Sequence, residues 1–480
     1  MQTQVGFEFL PQALQDAFHT TAGRTFKVTN PATGEAIATI PDHGAAEAHR
    51  VADAAVKAFD QWKNVTPFER SSIMRRWFNL MIEQENALAR LMSMEMGKPV
   101  AEARGEVRYA AGFVEWYAEE AKRVYGDTIP PHAANKRLFA IKQPVGPVYA
   151  ITPWNFPAAM ITRKAAPALA AGCSFVSKPA EQSPLTALYL AYLWEVAGGP
   201  ADVFQVITTS DPVPVSKVFM EDLRIRKLTF TGSTEIGKLL YSQSAATMKR
   251  ISLELGGHAP FLIFADAELP LAVKEVVACK FRNAGQTCVC TNRIYVQEPI
   301  YEAFSQQLAE AVRALRVGDP LDETTQIGPL IDENGLAKVK AHLADAMQHG
   351  AKVLTGGNSR DGLYFDPTVL IDVQPGMLLM NEETFGPIAP VLTFKDTADA
   401  IQMANDTPYG LASYLYTRDI DRAIRVAEAL EYGIVGLNDG LPSTPQAPFG
   451  GVKESGLGRE GGKWGIEEYL NIKYISLALH

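Results

Sequence analysis

Pro147-Val148-Tyr149-Ala150-Ile151-Thr152 is a short apolar segment with the length of one buried strand. Strand and helix patterns alternate from this segment to about residue 255, which predicts a parallel sheet with helices on both faces. Ligands of such sheets bind at the carboxyl ends of the strands. The predicted helices cover 160–171, 185–197 and 234–242, and the predicted strands cover 175–177, 203–206, 227–231 and 250–253.

A second alternating set begins near Gly256-Gly257, with a strand at 260–264 and a helix at 269–281. We therefore predict an α/β fold with a Rossmann-like nucleotide-binding domain and an α/β catalytic domain. The active site is expected in the cleft between these domains. The nucleotide-binding domain would comprise 1–125 and 146–255, and its part at 45–125 is predicted to be helical. The catalytic domain would comprise 256–465.

Two remote segments, 126–145 and 466–480, also contain strand patterns. A hairpin that projects from the main body leaves an unpaired edge, which another strand can cover. We predict that these segments form a small oligomerisation sheet, and that the protein is a homodimer or a homotetramer.

Composition narrows the class of protein. The 480 residues carry a formal net charge of -9, which argues against nucleic acid and anionic membranes as partners. No apolar run reaches the roughly 20 residues of a membrane helix, and Met1-Gln2-Thr3-Gln4 lacks the pattern of a signal peptide. Four cysteines in a chain of this length do not suggest a disulfide framework. We predict a cytoplasmic protein.

Six short motifs occur in order along the chain. They are Thr152-Pro153-Trp154-Asn155-Phe156-Pro157, Ser177-Lys178-Pro179-Ala180-Glu181, Phe230-Thr231-Gly232-Ser233, Leu253-Glu254-Leu255-Gly256-Gly257, Gly285-Gln286-Thr287-Cys288 and Asn381-Glu382-Glu383-Thr384-Phe385-Gly386-Pro387. One of them alone would be a weak signal. Together they resemble the NAD(P)-dependent aldehyde dehydrogenase family, and the resemblance extends over nearly the whole chain.

Cys288 follows a break in an apolar helical pattern, where a thiol can be reached. Only the thiolate is nucleophilic, and a free cysteine has a pKa of about 8.5, so a base or dipole must activate it. The resemblance implies that Cys288 attacks an aldehyde, that Asn155 and the Cys288 backbone N–H stabilise the oxyanion, and that Glu254 is the general base. A lone cysteine is otherwise a small buried hydrophobe, which is how we interpret Cys173 and Cys279.

The resemblance also implies a dinucleotide site. An acidic residue after the second strand, here Glu181, can accept the adenosine ribose hydroxyls and repels a 2′-phosphate, so we predict NAD, with NADP less favoured. No His/Cys/Asp cluster has metal-ligand spacing, and no metal is predicted. The predicted cofactor-binding residues are Trp154, Lys178, Glu181, Gly232, Ser233, Leu255, Glu383 and Phe385.

Three residues bear on the aldehyde. In the succinate-semialdehyde dehydrogenase branch of the family, residues of the types of Arg163, Arg282 and Ser443 in these motifs bind the distal carboxylate of the substrate. Guanidinium groups bind carboxylates bidentately. Asp439 is a departure, because a carboxylate that pointed into the pocket would oppose an anionic substrate. Glutarate semialdehyde and 2-oxoglutarate semialdehyde therefore remain open as substrates.

Cys290 lies two residues after Cys288, and this spacing suggests a reversible disulfide that sequesters the nucleophile. The simpler interpretation of Cys290 is a small packed residue. Rival functions are a broad-specificity aldehyde dehydrogenase, a CoA-acylating enzyme and a non-catalytic protein of the same fold. Glu254 argues against the CoA-acylating enzyme, since a water-activating base would be superfluous there.

Overall fold

The computed structural model describes residues 6–480, so the sequence Met1-Gln2-Thr3-Gln4 discussed above lies outside the described residues. Among residues 6–480, no helix combines the length and the apolar character that a membrane span requires. The strands are β1 (Thr25–Thr29), β2 (Ala36–Pro41), β3 (Asp127–Ile129), β4 (Lys136–Pro144), β5 (Val148–Ile151), β6 (Phe175–Lys178), β7 (Phe204–Val206), β8 (Lys227–Thr231), β9 (Arg250–Glu254), β10 (Ala259–Ile263), β11 (Thr291–Gln297), β12 (Lys352–Thr355), β13 (Thr368–Ile371), β14 (Ile388–Phe394), β15 (Ala412–Tyr416), β16 (Ile434–Leu437), β17 (Gly456–Leu457) and β18 (Leu470–Ala478). The helices are α1 (Gln12–Ala17), α2 (Ala45–Trp62), α3 (Pro67–Glu83), α4 (Glu85–Met96), α5 (Val100–Glu120), α6 (Ala159–Ala171), α7 (Leu185–Val196), α8 (Pro212–Glu221), α9 (Thr234–Ser244), α10 (Leu269–Phe281), α11 (Tyr301–Arg313), α12 (Glu333–Gln348), α13 (Leu378–Asn381), α14 (Thr397–Asn405), α15 (Ile420–Ala429) and α16 (Gly462–Glu467).

The first large sheet has the strand order β17-β9-β8-β5-β6-β7, and β9 to β7 are parallel. Every residue of β8 is buried, as expected for a strand with helices on both faces. The predicted strands and helices of this sheet are confirmed, with ends that differ by at most a few residues. Helix α8 was not predicted, because its Pro212-Val213-Pro214 start obscures the helical periodicity.

The second large sheet has the order β12-β13-β14-β11-β10-β15-β16, in which only β12 is antiparallel to its neighbour. It confirms the second predicted α/β set, and α10 has the predicted bounds. Each large sheet has its own hydrophobic core. The first surrounds Trp62, Trp77 and Trp194, and the second contains the stacked rings of Phe261 and Tyr416.

The α/β fold class is therefore confirmed, whereas the division into 1–125 with 146–255 and 256–465 stays a prediction. One segment crosses this division. β17 pairs antiparallel with β9, so two residues of the proposed catalytic domain lie in the nucleotide-binding sheet. A two-residue strand that begins with glycine has no strand pattern in the sequence.

The predicted strands in 126–145 and 466–480 form one antiparallel sheet of order β18-β4-β3 within the chain. β18 pairs with β4 from Leu470↔Pro144 to Ala478↔Lys136. Its side chains are largely exposed, with Ile472 75% and Tyr474 58% accessible. The sheet thus presents apolar side chains that nothing in the described chain covers.

Candidate active site

The segment that carries Cys288 makes a sharp turn after α10. Asn283 and Ala284 have positive φ angles of 51° and 54°, which side chains rarely adopt. Gly285 follows at φ 76°, and a Cβ atom there would come 2.3 Å from the Gly386 carbonyl oxygen. The turn therefore needs glycine at 285, and it places Cys288 at the end of a strained loop just before β11.

Both large domains hold this turn. Glu102 on α5 accepts a hydrogen bond from the Asn283 backbone N–H at 2.8 Å. The Asn283 side chain donates to the Asn155 carbonyl at 3.1 Å, and Gln286 accepts from the Ile331 N–H at 3.0 Å. Residues of α5, of the loop after β5 and of the loop before α12 thus fix the loop before Cys288.

Burial raises the pKa of the Cys288 thiol to about 12. The Arg163 and Arg282 guanidinium groups act in the opposite direction, and the carboxyl groups of Glu383 and Glu254 add to the rise. The thiol is therefore protonated at neutral pH and must lose its proton before it can attack a carbonyl. This environment requires a base.

Asn155 is buried beside this loop. Its side-chain Nδ2 donates to the Gln286 carbonyl at 3.1 Å, and Lys98 Nζ donates to its backbone carbonyl at 2.9 Å. A side-chain amide has two N–H donors. One is bound to Gln286, and the second can donate to an oxygen atom on a substrate.

Glu254 ends β9 and is buried. Burial, together with the nearby Glu460 carboxyl group, raises the pKa of Glu254 well above its ordinary value, although Arg163 and Lys164 oppose the rise. Its Oε2 is buried without a hydrogen-bond partner in the described chain. A Cβ atom at Gly450 would lie 2.8 Å from Oε1, so glycine leaves space for this carboxyl group. A carboxyl group in such a site can accept a proton near neutral pH.

Glu460 lies near Glu254 and links it to two cationic side chains. It forms ion pairs with Arg163 and Lys164, which are adjacent on α6. Burial opposes its ionisation, yet these two cations hold the pKa of Glu460 below its ordinary value. Sequence reasoning missed Lys164 and Glu460. The signal for Lys164 was a pair of adjacent cations in an otherwise apolar helix. Glu460, the partner of both cations, is almost 300 residues away in the sequence.

A cavity of about 320 Å³ opens at Cys288. Arg163, Arg282 and Ser443 all line it, so the three predicted substrate residues lie together around the thiol. Ser443 Oγ is 2.5 Å from the hydroxyl of Tyr109, a further lining residue that the sequence did not single out.

Asp439 does not line this cavity. Its Oδ1 accepts from the Leu441 N–H at 2.9 Å, and the residue is exposed. The carboxylate is therefore turned into its own loop, and the expected conflict with an anionic substrate does not arise.

The cationic side chains that line the cavity differ in whether they form ion pairs. Lys98 forms an ion pair with Glu106, and Arg163 with Glu460. Over residues 6–480, Arg282 forms no ion pair within 4.0 Å, and its Nε is buried without a hydrogen-bond partner. Its guanidinium lies 5.3 Å from the centre of the Phe156 ring. Arg282 is thus the cation that remains available to an anionic ligand.

A second group of predicted residues lies where the loop after α13 meets the two sheets. Glu383 Oε1 accepts from the Gly257 N–H at 3.2 Å, and burial raises the pKa of Glu383 to about 7. The Trp154 and Phe385 rings meet edge to face with centroids 5.5 Å apart. Of the residues predicted at the nicotinamide end, Trp154 and Phe385 therefore contact each other. Glu383 binds the backbone three residues after Glu254.

The residues predicted to bind the adenosine end of the dinucleotide lie beside the first sheet. Lys178 Nζ is 3.5 Å from Glu181 Oε2, and Lys178 lines a cavity of about 560 Å³. Its apolar wall comes from α8 and α9, with Val213 and Ile236 both exposed to it. A flat aromatic base fits such walls, and sequence reasoning missed them because α8 was not predicted.

The start of α9 completes this region. Ser233 caps the helix by accepting from the Ile236 N–H at 3.3 Å, and the Gly232 N–H donates to the Glu254 carbonyl at 3.0 Å. Leu255 packs against Gly237, where a Cβ atom would come 2.3 Å from it. A helix N-terminus beside the apolar cavity suits a pyrophosphate, so these residues fit a dinucleotide.

Cys290 has a different environment from Cys288. Its sulfur is buried 3.3 Å from Lys280 Nζ. Burial raises the pKa of Cys290, and the Lys280 ammonium group opposes the rise. Among the described residues, no group of three His, Cys, Asp or Glu side chains could hold a metal ion.

A Rossmann-like sheet, a second α/β domain and a half-buried thiol at a cavity are the arrangement of a dinucleotide-dependent oxidoreductase. The model of the Aldehyde dehydrogenase family matches residues 18–475, and the chain belongs to this family. Its members oxidise small aldehydes with NAD or NADP, which confirms the resemblance found in the sequence.

Individual relatives are similar over nearly the whole chain. Glutarate-semialdehyde dehydrogenase of Pseudomonas putida is 57% identical over 457 residues, which cover 95% of each chain. Succinate-semialdehyde dehydrogenase [NADP(+)] of Escherichia coli is 56% identical, also with 95% of each chain covered. The crystal structure of succinate-semialdehyde dehydrogenase from Burkholderia pseudomallei has a TM-score of 0.94 at 52% identity and covers 96% of this chain and 95% of its own.

Proposed function

We propose that this enzyme oxidises an ω-carboxylated aldehyde, with succinate semialdehyde and its product succinate as the first choice, and uses NAD. The observation that supports this proposal most directly is the shared cavity. Arg163, Arg282 and Ser443 surround the same space as the Cys288 thiol. A guanidinium group that lacks an internal partner binds a carboxylate well.

The chain's own residues provide the covalent chemistry. Glu254 removes the proton of the Cys288 thiol, whose pKa is too high for spontaneous ionisation. The thiolate adds to the aldehyde carbon, and the Asn155 amide and the Cys288 backbone N–H donate to the resulting oxyanion. One such donor lowers the barrier by about 2.7–4 kcal/mol. The bound dinucleotide supplies the hydride acceptor. Once Glu254 has released that proton to solvent, it takes a proton from a water molecule, whose oxygen attacks the thioester carbon and releases the acid and the Cys288 thiolate.

Several other substrates have the same recognition chemistry. The P. putida relative is named for glutarate semialdehyde, and 2-oxoglutarate semialdehyde also carries a distal carboxylate. A broad-specificity enzyme would not need an unpaired arginine in its cavity. A CoA-acylating enzyme would not need Glu254, and a protein that only binds would need neither Glu254 nor Cys288.

A panel of aldehydes tests the proposal. Succinate semialdehyde, glutarate semialdehyde and uncharged aldehydes of equal length are assayed with NAD or NADP, with and without CoA. We expect a kcat/KM at least about tenfold higher for the carboxylated aldehydes, the value of one charged hydrogen bond, and no requirement for CoA. Equal kcat/KM values for charged and uncharged aldehydes would contradict the proposed substrate class.

We infer NAD as the preferred cofactor from the position of Glu181. Its carboxylate is 3.5 Å from Nζ of Lys178, which lines the adenosine cavity, so it would repel a 2′-phosphate near that lysine. The E. coli relative is named for NADP(+), so the preference has to be measured on this chain.

The Glu181→Ser variant is the direct test of cofactor preference. Serine removes the negative charge and frees Lys178 to pair with a 2′-phosphate. Because Glu181 is partly exposed, the ratio of kcat/KM for NAD to kcat/KM for NADP should fall by about tenfold. Glu195→Ser on the exposed face of α7 is the matched control and should leave the ratio unchanged. An unchanged ratio in Glu181→Ser would contradict the role of Glu181.

We propose that Cys290 forms a reversible disulfide with Cys288 under oxidation. All four cysteines are free in the described structure, and Lys280 next to Cys290 favours the thiolate that exchange requires. Peroxide should inactivate the wild-type enzyme, and a thiol reductant should restore its activity. In the Cys290→Ala variant the inactivation should no longer be reversed. Unchanged reversibility in that variant would contradict the switch.

We propose a homodimer or homotetramer whose contacts include the β18-β4-β3 sheet, and a cytoplasmic location. The exposed Ile472, Tyr474 and Leu477 support the first proposal, and the low number of cysteines supports the second. A solution mass equal to that of one 52.3 kDa chain would contradict the oligomer. Activity in a periplasmic fraction would contradict the location.

A further inference from the structure

A buried histidine on α12 contacts both neighbours of Glu383. His342 is only 2% exposed. Its Nδ1 is 3.1 Å from Thr384 Oγ1, and its Nε2 is 3.4 Å from Glu382 Oε2. The two ring nitrogens thus bind the residue before and the residue after Glu383, and neither contact is used in the chemistry described above.

A neutral imidazole satisfies both contacts at once. With its proton on Nε2, the ring donates toward the Glu382 carboxylate and accepts from the Thr384 hydroxyl at Nδ1. Burial lowers the pKa of His342, and Lys338 on the same helix adds to this effect. Glu382 from the loop and Asp345 from α12 oppose it, and His258 is a further titratable group nearby.

The loop bound by His342 is packed tightly on its other sides. A Cβ atom at Gly386 would come 2.3 Å from Cγ2 of Val339, which lies one turn before His342 on α12. On the far side, the Gly386 carbonyl lies against Gly285, three residues before Cys288. α12 therefore packs closely on this loop at Gly386, and the loop packs closely on the turn before Cys288 at Gly285.

We propose that His342 is a positioning residue for the dinucleotide. It fixes the segment from Glu382 to Phe385, and through it the nicotinamide end of the cofactor relative to Cys288. This inference depends on the proposed cofactor-binding role of Glu383 and Phe385. Because none of these loop residues lines the aldehyde cavity, His342 should affect the cofactor and the hydride step but not aldehyde binding.

The test compares His342→Leu, His342→Asn and the control His349→Leu, an exposed histidine at the end of α12. His342→Leu loses both contacts, and we expect the KM for the dinucleotide to rise about fivefold to tenfold, with the aldehyde KM changed less than about twofold. His342→Asn keeps a polar atom near the Nδ1 position and should recover most of the loss. An unchanged dinucleotide KM in His342→Leu, or an equal rise in both KM values, would overturn the inference.

The pH dependence adds a readout that a packing defect would not change. Protonation turns Nδ1 into a donor, so the Thr384 hydroxyl must rotate to accept and its own proton loses the present acceptor. The wild-type dinucleotide KM should therefore change as pH falls below the usual histidine range. In His342→Leu this change should be absent. The same pH dependence in both proteins would contradict the role of His342.

Glu383→Gln separates this inference from the proposed cofactor site. If Glu383→Gln leaves the dinucleotide KM unchanged, the assignment of the loop to the cofactor is wrong. If Glu383→Gln raises it while His342→Leu and Thr384→Val do not, the cofactor site stands and only the role of His342 is wrong.

Discussion

Cys288→Ser should lower kcat for aldehyde oxidation on the order of ten-thousand-fold, while dinucleotide binding remains as in the wild type. The thiol at this position already has a pKa raised to about 12 by burial. A hydroxyl group in the same place is far less acidic, so Glu254 cannot generate the nucleophile. The measurement is the rate of NADH formation at saturating aldehyde and NAD.

Cys173→Ser is the matched control for this prediction. Cys173 is a fully buried cysteine in the first domain, with its sulfur 3.6 Å from the Tyr469 carbonyl and no contact with the proposed site. Its replacement should change stability slightly and kcat hardly at all. A Cys288→Ser protein that retains about a tenth of the wild-type kcat would show that the reaction does not proceed through this sulfur.

Arg282→Ala should lower kcat/KM for succinate semialdehyde by about 100-fold and change the value for an uncharged aldehyde of equal length by less than about threefold. The reason is that the other cationic side chains of the cavity already form ion pairs. Lys98 and Arg163 are paired with Glu106 and Glu460, whereas the Nε of Arg282 has no partner within residues 6–480. A charged hydrogen bond contributes about 1.5–3 kcal/mol, so the loss of a bidentate contact accounts for the expected factor.

Two further variants make the arginine result specific. Arg282→Lys keeps the charge without the planar fork and should fall between wild type and Arg282→Ala. Arg108→Ala removes an exposed arginine of α5 that pairs with Glu85, and it should have no effect on either aldehyde. Equal losses for charged and uncharged aldehydes in Arg282→Ala would indicate a damaged cavity, and the assignment to the carboxylate would fail.

The bounds of strands and helices could be predicted from the sequence where a local residue pattern determines them. β8 and α10 begin and end at the predicted residues, because apolar runs and turn residues mark buried strands and helices locally. The predicted site residues came from motifs, and the structure places Arg163, Arg282 and Ser443 around one cavity with Cys288.

Features that depend on remote partners could not be predicted. The Lys164–Glu460 ion pair joins residues 296 positions apart, and nothing near either residue indicates the other. The pairing of β17 with β9 is likewise set by tertiary packing. Whether the Asp439 side chain points into the cavity or away from it depends on a hydrogen bond within its own loop. This hydrogen bond could not be predicted from composition.

The most direct test of the covalent chemistry is peptide mass spectrometry on enzyme that is mixed with succinate semialdehyde and NAD and quenched in acid during turnover. We predict a succinyl thioester on the peptide that contains Cys288, formed only when NAD is present and absent from Cys288→Ser. An acyl group on another residue, or turnover with no acylated Cys288 at any time, would contradict the account.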